Sequence, residues 1–523
     1  MNAVHCAFRT QPLGRFLTGL MGAGAAMMWV AAPVIGAEIV VTTIVDELNS
    51  DGDCSLREAV QSANHDMRVD ACTAGVVGEV DVVRVPAGVY PLTLRGIPDD
   101  ANIAGDIDIL DDVVIAGDPG GGTIVDGSVA SEGDQIFDVI IGSVEFDDLT
   151  VTGAAPNFNG QSVIQVAEEA HLVMRRCLVT ENNGTSGSFG ILVHGELEVF
   201  DSEISENLAS SGAGIFCLAE GVVELTRTSI IGNRAEYSGA AIDCSGGSFL
   251  GLYGCTIKDN STLFFGSGAA VITADHTVIK DSTIADNSTA MGGAVMGGGV
   301  WVRDDWVAIS SSTISGNAAN PGGALLIGSP NSSGYGRSIV TLENVTIADN
   351  RSKTVGETSS ITVLENEALV WLTSCTIAYN AGGIETIAGS EILMGSTIVA
   401  LNGAMNCSLD VLSRLTSFGD NLDDGVSCGF DHPTDLVGVD PMLGSLDDGY
   451  FGPATLVPLI GSPTIDSATA APLPSHDQRG VPRPFDGDGD QVAVSDRGAV
   501  EYRPGVIFFD GFEVGAGWRW SAP

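Results

Sequence analysis

The feature that most constrains this chain is a short recurring phrase: an apolar residue, two variable residues and an asparagine. It ends at Asn182, Asn207, Asn233, Asn260, Asn287, Asn317, Asn350 and Asn380, at intervals of 25, 26, 27, 27, 30, 33 and 30 residues. Self-similarity with a period of about 20–50 residues marks a solenoid, in which every repeat stacks on the one before. Two positions ahead of the apolar residue stand Cys177, Ser202, Thr228, Cys255, Ser282, Ser312, Val345 and Cys375, usually followed by Thr. Alternating runs rich in β-branched residues make strands whose positions i and i+2 share a face. About five or six residues after most of the asparagines comes a glycine-small-apolar phrase, at 212–215, 239–242, 292–295 and 322–325. A further apolar run follows, such as 222–225 or 340–342. Each period therefore holds two or three short strands broken by glycine turns, with neither helical spacing nor a Leu-x-x-Leu-x-Leu pattern. The expected fold is all-β, a right-handed parallel β-helix of about a dozen coils over 80–402, stacked at roughly 4.8 Å. Asparagines at one turn of every coil can bond their neighbours above and below as an amide ladder. The alternative is that they only tolerate a left-handed turn conformation. In both readings they are structural.

Charge narrows the partners. The 523 residues carry 67 Asp and Glu against 22 Lys and Arg, a formal net charge of −45. Nucleic acid is not expected as a partner, because binding it relies on Lys and Arg neutralising phosphates. Residues 1–37 read as a secretory signal peptide: His5, Arg9 and Arg15 precede an apolar stretch from Phe16 to Val34, and Ile35 to Ala37 offer a cleavage site. No other apolar run is long enough for a transmembrane helix in the mature chain. Export permits disulfides. The local pairs expected are Cys54 with Cys72 and Cys407 with Cys428. Cys177, Cys255 and Cys375 share one coil position and read as buried thiols, while Cys217 and Cys244, one period apart, could stack or bridge. No Cys-x-x-Cys pair occurs, so zinc is not expected.

Ser55 and Glu58 form a capping box, which predicts a helix from about Leu56 to Ala63 covering the open end of the solenoid core. The six residues Cys54 to Ala59 resemble the signature of the CSLREA domain, found at the N-terminus of exported bacterial β-helix proteins, and 85–90, 105–109 and 123–127 fit the same text. The resemblance implies an N-terminal cap over 38–79. The repeats from about 140 to 402 are similar to those of polymorphic outer-membrane proteins, whose terminal membrane barrel has no counterpart here. The series Asn406-Cys407, 417–422, 440–443, 461–466, 477–480, 482–484 and 496–499 resembles the choice-of-anchor Q domain, giving a closing module over 403–503. Residues 504–523, with 507–513 and 518–521, resemble a C-terminal sorting tail. Together these resemblances imply an exported, monomeric protein at the cell surface or outer membrane. Its implied role is adhesin-like binding of a surface glycan or of a host or envelope component.

Three groups of side chains are candidates for chemistry. Asp486, Asp488 and Asp490 at alternate positions, with Asp496 near, suit a turn around calcium, although the spacing also fits an ordinary acidic turn. For catalysis on an acidic glycan, a lyase needs a base and a cationic partner for the uronate. The candidates are Asp275, His276, Lys280 and Asp281, and Arg303, Asp304 and Asp305 between Trp301 and Trp306, which could stack on a sugar or shield a coil edge. A glycosidase would need two facing carboxylates, which so acidic a chain supplies by chance. No motif carries a mechanism of its own, so binding without catalysis is expected. The alternative is a polysaccharide lyase or glycoside hydrolase.

Overall fold

The computed structural model describes residues 35–504 apart from 95–100, 129–134, 157–159, 185–186, 264–267, 269, 290–296, 304–305, 320–321, 329–336, 353–358, 366, 388, 404, 448–451 and 471–472. The signal segment up to residue 34, the glycine phrase at 292–295, Asp304, Asp305 and the tail from 505 lie outside the described residues.

Three parallel sheets run the length of the solenoid. The first has fourteen strands, from Ile35–Val40 to Arg414–Ser417; the second has twelve, from Ile107–Ile109 to Cys407–Ser408; the third has fourteen, from Gly88–Pro91 to Leu436–Val437. Each coil visits the second sheet, then the first, then the third, and turns at the asparagine to begin again. One coil shows the logic. Ile191 and Val193 of the second sheet, Leu197 and Val199 of the first and Ile204 of the third all point inward and are buried, while Glu196, Glu198 and Glu203 point out. Full burial of such a side chain stabilises by about 1.5–3 kcal/mol. Register is fixed because a one-residue slip would turn each aliphatic outward. Accordingly Val179, Ile204, Ile230, Ile257, Ile284, Ile314, Ile347 and Ile377 follow one another in register down the third sheet.

The asparagines are laddered. Asn317 donates from its backbone N and its Nδ2 to Asn350 Oδ1 at 3.0 and 3.1 Å, and from Nδ2 to Ile284 O at 2.9 Å. The same pattern links Asn182, Asn207, Asn233, Asn260, Asn287, Asn317, Asn350 and Asn380 in turn. Asn402 extends it, accepting from Asn380 Nδ2 at 3.0 Å and donating to Asn406. The left-handed residue is not the asparagine but the one before it: Glu181, Glu206, Asp259, Asp286, Asp349, Tyr379 and Leu401 all have φ between 53° and 60°. A second ladder runs through the small residues at the other turn, where Cys255 N donates to Ser282 Oγ and Ser282 N to Ser312 Oγ. The thiols of Cys177, Cys255 and Cys375 are free and buried there. Burial pushes Cys177 and Cys375 up to about 12, which makes them unreactive. The glycine phrases mark close approach: a Cβ on Gly214 would stand 2.3 Å from Ala241 O of the next coil.

The helix α1 spans Leu56–Asn64, with Ser55 as N-cap and both halves of the capping box with Glu58 formed. Cys54–Cys72 and Cys407–Cys428 are disulfides, and Cys217–Cys244 bridges adjacent coils. Downstream of Leu436–Val437 the chain does not continue the stack. It folds back over the outer face of the third sheet, where Leu443 and Leu456 pack on Ala348, Ala378 and Ala400. There Gln478 bonds Thr346 and Thr313, and Ala499 N donates to Thr376 Oγ1 at 3.0 Å.

Candidate functional site

The outer face of the first sheet is broad and laid out by register, so it places most of the exposed chemistry. Phe249, His276, Trp306, Ile339 and Leu369 occupy one outward column, coil after coil. The predicted catalytic residues lie here, and they do not converge. His276 and Lys280 stand at opposite ends of the strand His276–Lys280, about 13 Å apart at the usual rise. Asp275 and Asp281 flank that strand as exposed turn residues, and Asp281 takes a left-handed φ of 52°. His276 instead lies beside Trp306, ring centroids 6.1 Å apart.

The two tryptophans around Arg303 separate. Trp306 is exposed on the first sheet, but Trp301 is buried among Ile272, Leu326 and Leu364 on the second sheet, its Nε1 donating to Gly328 O at 2.9 Å. Arg303 covers the Trp301 ring at 4.9 Å. Of that pair only Trp306 can meet a sugar.

The C-terminal acids are also redistributed. Asp486 and Asp488 gather with Asp466, a residue the alternating spacing could not point to. Their oxygens accept backbone N–H groups: Asp466 Oδ2 takes Gly487 and Asp488, Asp486 takes Gly489 and Gln491, and Asp490 takes Val492. Asp496 is fully buried and accepts from Asp466 N, while its own N donates to Glu501 at 3.0 Å. The acids form a hydrogen-bonded turn above a buried charge cluster, and Asp466, Asp486 and Asp488 bring carboxylate oxygens within 4.8 Å of one another, close enough to hold a cation.

A different constellation appears at the far end of the first sheet. Trp371 and Phe418 lie nearly parallel, 11° apart with centroids 5.9 Å from one another, and are 43% and 44% exposed. Trp371 reaches solvent because its neighbours Val370 and Leu372 are the inward residues of the same strand. Toward the start of the same strands lies an open groove of about 360 Å³, lined by Arg337, Glu367, Ser390, Glu391, Leu412 and Arg414 and by neither ring. Register sets Leu369, Glu391 and Arg414 on successive coils, and Arg337 reaches Glu391 at 3.9 Å. Forked guanidinium donors, carboxylate acceptors and flat apolar rings on one face suit an extended ligand with hydroxyl edges and apolar faces. The sequence signal for it was an aromatic at the outward middle position of a first-sheet strand, legible only once register is known. Five to six strands in from the N-terminal end of the face, His171 meets Glu198 at 3.1 Å next to Glu196. Burial, then the charges of Glu198 and Glu196, raise the carboxyl of Glu224 above its ordinary range.

Among known proteins, a family model described as a right-handed beta helix region matches residues 139–307. Of solved structures, the crystal structure of pectate lyase Pel9A is similar at 12% identity, covering 90% of this chain and 98% of that one with a TM-score of 0.36. No curated protein matches the chain. Sheet order, register and the matched repeats agree: the chain is a right-handed parallel β-helix protein, with almost no helix among the described residues.

Proposed function

We propose that this is an exported, surface-displayed β-helix that binds a glycan along the outer face of its first sheet without cleaving it. The observation that carries the reading is the exposed Trp371–Phe418 pair, which shares the outer face of the first sheet with the groove of Arg337, Glu391 and Arg414. Aromatic faces stack on the C–H faces of pyranose rings, and the charged rim bonds their hydroxyls. Export is supported by the signal-like residues 1–37 and by three disulfides, which belong to an oxidising compartment. The resemblance of 54–59 to the CSLREA signature and of 403–503 to the choice-of-anchor Q domain points the same way. A glycan array on residues 38–503, run beside a polysaccharide-degradation panel, tests it. Binding without turnover is expected, and Trp371→Ala should weaken it about tenfold, a loss of about 1.4 kcal/mol.

A second reading, polysaccharide cleavage, draws on the same groove, which places Glu367 and Glu391 with two arginines. Depolymerisation abolished by Glu391→Gln would establish it and sink the first reading.

A further inference from the structure

An acid stands in the core column of the first sheet. Val113, Val144, Leu172, Leu197, Val223 and Leu250 follow one another in register at buried, inward positions, and the residue at the start of that column is Asp81. It is 2% exposed. A buried carboxylate is costly unless it is hydrogen-bonded and met by positive charge. The hydrogen bonds are present: Asp81 accepts Ala37 N at 2.7 Å and Val76 N at 3.2 and 3.3 Å. The positive charge is not. Among the described residues Asp81 forms no ion pair, and the charged groups that act on it, Asp66 and Asp111, are both acids. Arg84, on the same strand, is engaged with Glu38 at 3.2 Å. Burial first, then those two acids, raise the Asp81 carboxyl above its ordinary range against the pull of the two N–H groups.

The shortest of these bonds comes from Ala37 N, and Ala37 lies in the segment that the sequence marks for cleavage on export. Small residues admit a cut at either of two bonds there, Gly36–Ala37 or Ala37–Glu38. The fold separates them. Ala37 packs against the core and holds Asp81, so a cut after it discards both contacts and a cut before it keeps both. The strand loses little ahead of Ala37. Ile35 pairs with Val80, the register then shifts, and the regular ladder begins with Glu38 on Val82. Gly36 is pressed on the carboxylate, where a Cβ would stand 2.4 Å from Asp81 Oδ1. Its departure opens the space that an ammonium needs for its extra hydrogens.

We propose that the leader is removed at the Gly36–Ala37 bond and that the new α-ammonium of Ala37 becomes the counter-ion of Asp81. A signal peptidase of the exporting cell hydrolyses the bond before the chain folds. Water supplies a hydroxyl to the Gly36 carbonyl carbon and a proton to the Ala37 nitrogen, and the acid proton of the released leader turns that amine into an ammonium. The bond from Ala37 N to Asp81 then becomes charge-assisted, which ties the first strand to the first coil more strongly than in the precursor. The inference rests on the export reading and is independent of the glycan face.

The test is N-terminal sequencing and intact mass of the full chain after export by a bacterial host under its own leader. Unfolding midpoints of that product and of Asp81→Asn follow, from about pH 6 to about pH 10. A mature chain beginning at Ala37 is expected. An α-amine titrates near 8 when unpaired, and pairing with a carboxylate raises that value in the folded state. Its stabilisation is therefore complete below about pH 8 and lost as pH rises through the raised value. The advantage of wild type over Asp81→Asn should be level up to about pH 8 and shrink above it, and acetylation of the α-amine should abolish that dependence. A product beginning at Glu38, or upstream of Ala37, overturns the proposal. So does a product beginning at Ala37 whose advantage over Asp81→Asn is the same at both ends of the range. If Asp81→Asn does not fold, acetylated and unmodified wild type are compared instead, and equal midpoints at neutral pH overturn the pairing. A secreted-fraction assay that finds only chain retaining residues 1–36 sinks the export reading together with this inference.

Discussion

At the scale of single residues the solenoid depends on amides whose every hydrogen-bonding group is used. Asn317 is wholly buried; its Oδ1 accepts from Asn287 N and Nδ2 at 3.0 and 2.9 Å, and its own donors go to Asn350 and Ile284. Asn317→Ala strands donors on Asn287 and the carbonyl of Ile284, and should cost about 1–3 kcal/mol in chemical denaturation. An equal substitution at exposed Asp286, one place before the ladder, leaves those bonds intact and serves as the reference. A variant as stable as wild type would mean the ladder contributes nothing net. The asparagines were legible because an identical side chain is required at each coil. Their left-handed neighbours were not, because that position constrains the backbone alone and accepts Glu181, Tyr379 or Leu401 alike. Asn402 escaped because its interval from Asn380 shrinks to 22 residues as the regular coils end.

Among the elements, α1 shows how a six-residue phrase becomes a cap. Cys54 is bridged to Cys72, Ser55 and Glu58 close the helix start, and Leu56 and Ala59 join the core. Arg57, the remaining polar member, is fully buried. Its guanidinium bonds Asp46, Asn102 Oδ1, Gly105 O and Asp106 O at 2.8, 3.2, 2.7 and 2.6 Å, tying the helix to the first coil. Truncating one member of a buried ion pair leaves the other charged and unpaired, which costs about 3–5 kcal/mol. Arg57→Ala should therefore loosen the N-terminal end first, seen as fast amide exchange over 56–64 while the central coils stay protected. Uniform loss of protection along the whole solenoid would contradict a local clasp. The capping box was readable from two residues three apart. The burial of Arg57 was not, because besides Asp46, 11 residues upstream, its partners lie 45–49 residues downstream and only the coiling brings them back. The glycan face was hidden for the same reason: Trp371 and Phe418 are 47 positions apart and become neighbours only through the pitch of the coils.

Across the whole molecule the stack is closed differently at its two ends, by a helix at one and by a folded-back segment at the other. The fold-back left a faint trace in the sequence. Outward positions of the third sheet are Glu203 and Ser205, or Thr256 and Lys258, in the middle coils, but Thr346 and Ala348, or Thr376 and Ala378, where the closing segment lies on them. That segment is organised by a buried charge cluster. Arg483 donates to Asp496 O and Gly498 O at 3.0 and 2.8 Å and faces Glu501 at 3.6 Å, while Arg479 pairs with Asp477 at 3.0 Å. Burial first, then the charge of Glu501, pushes the Asp496 carboxyl from its ordinary 3.8 up to about 8, and burial raises Glu501 as well. An acid whose folded pKa is raised binds more protons folded than unfolded between those limits, so it stabilises at low pH and that stabilisation is lost as pH rises. The contribution of Asp496 should be full below about pH 4, decline through neutrality and be gone above about pH 8. Denaturation midpoints of wild type minus those of Asp496→Asn isolate it from the other carboxylates, since the amide keeps the shape and cannot titrate. That difference should fall steadily between about pH 4 and pH 8 and be flat above. A flat or rising difference would mean that Arg483 holds Asp496 ionised throughout, and the closing segment would then be fastened by an ion pair rather than by a proton.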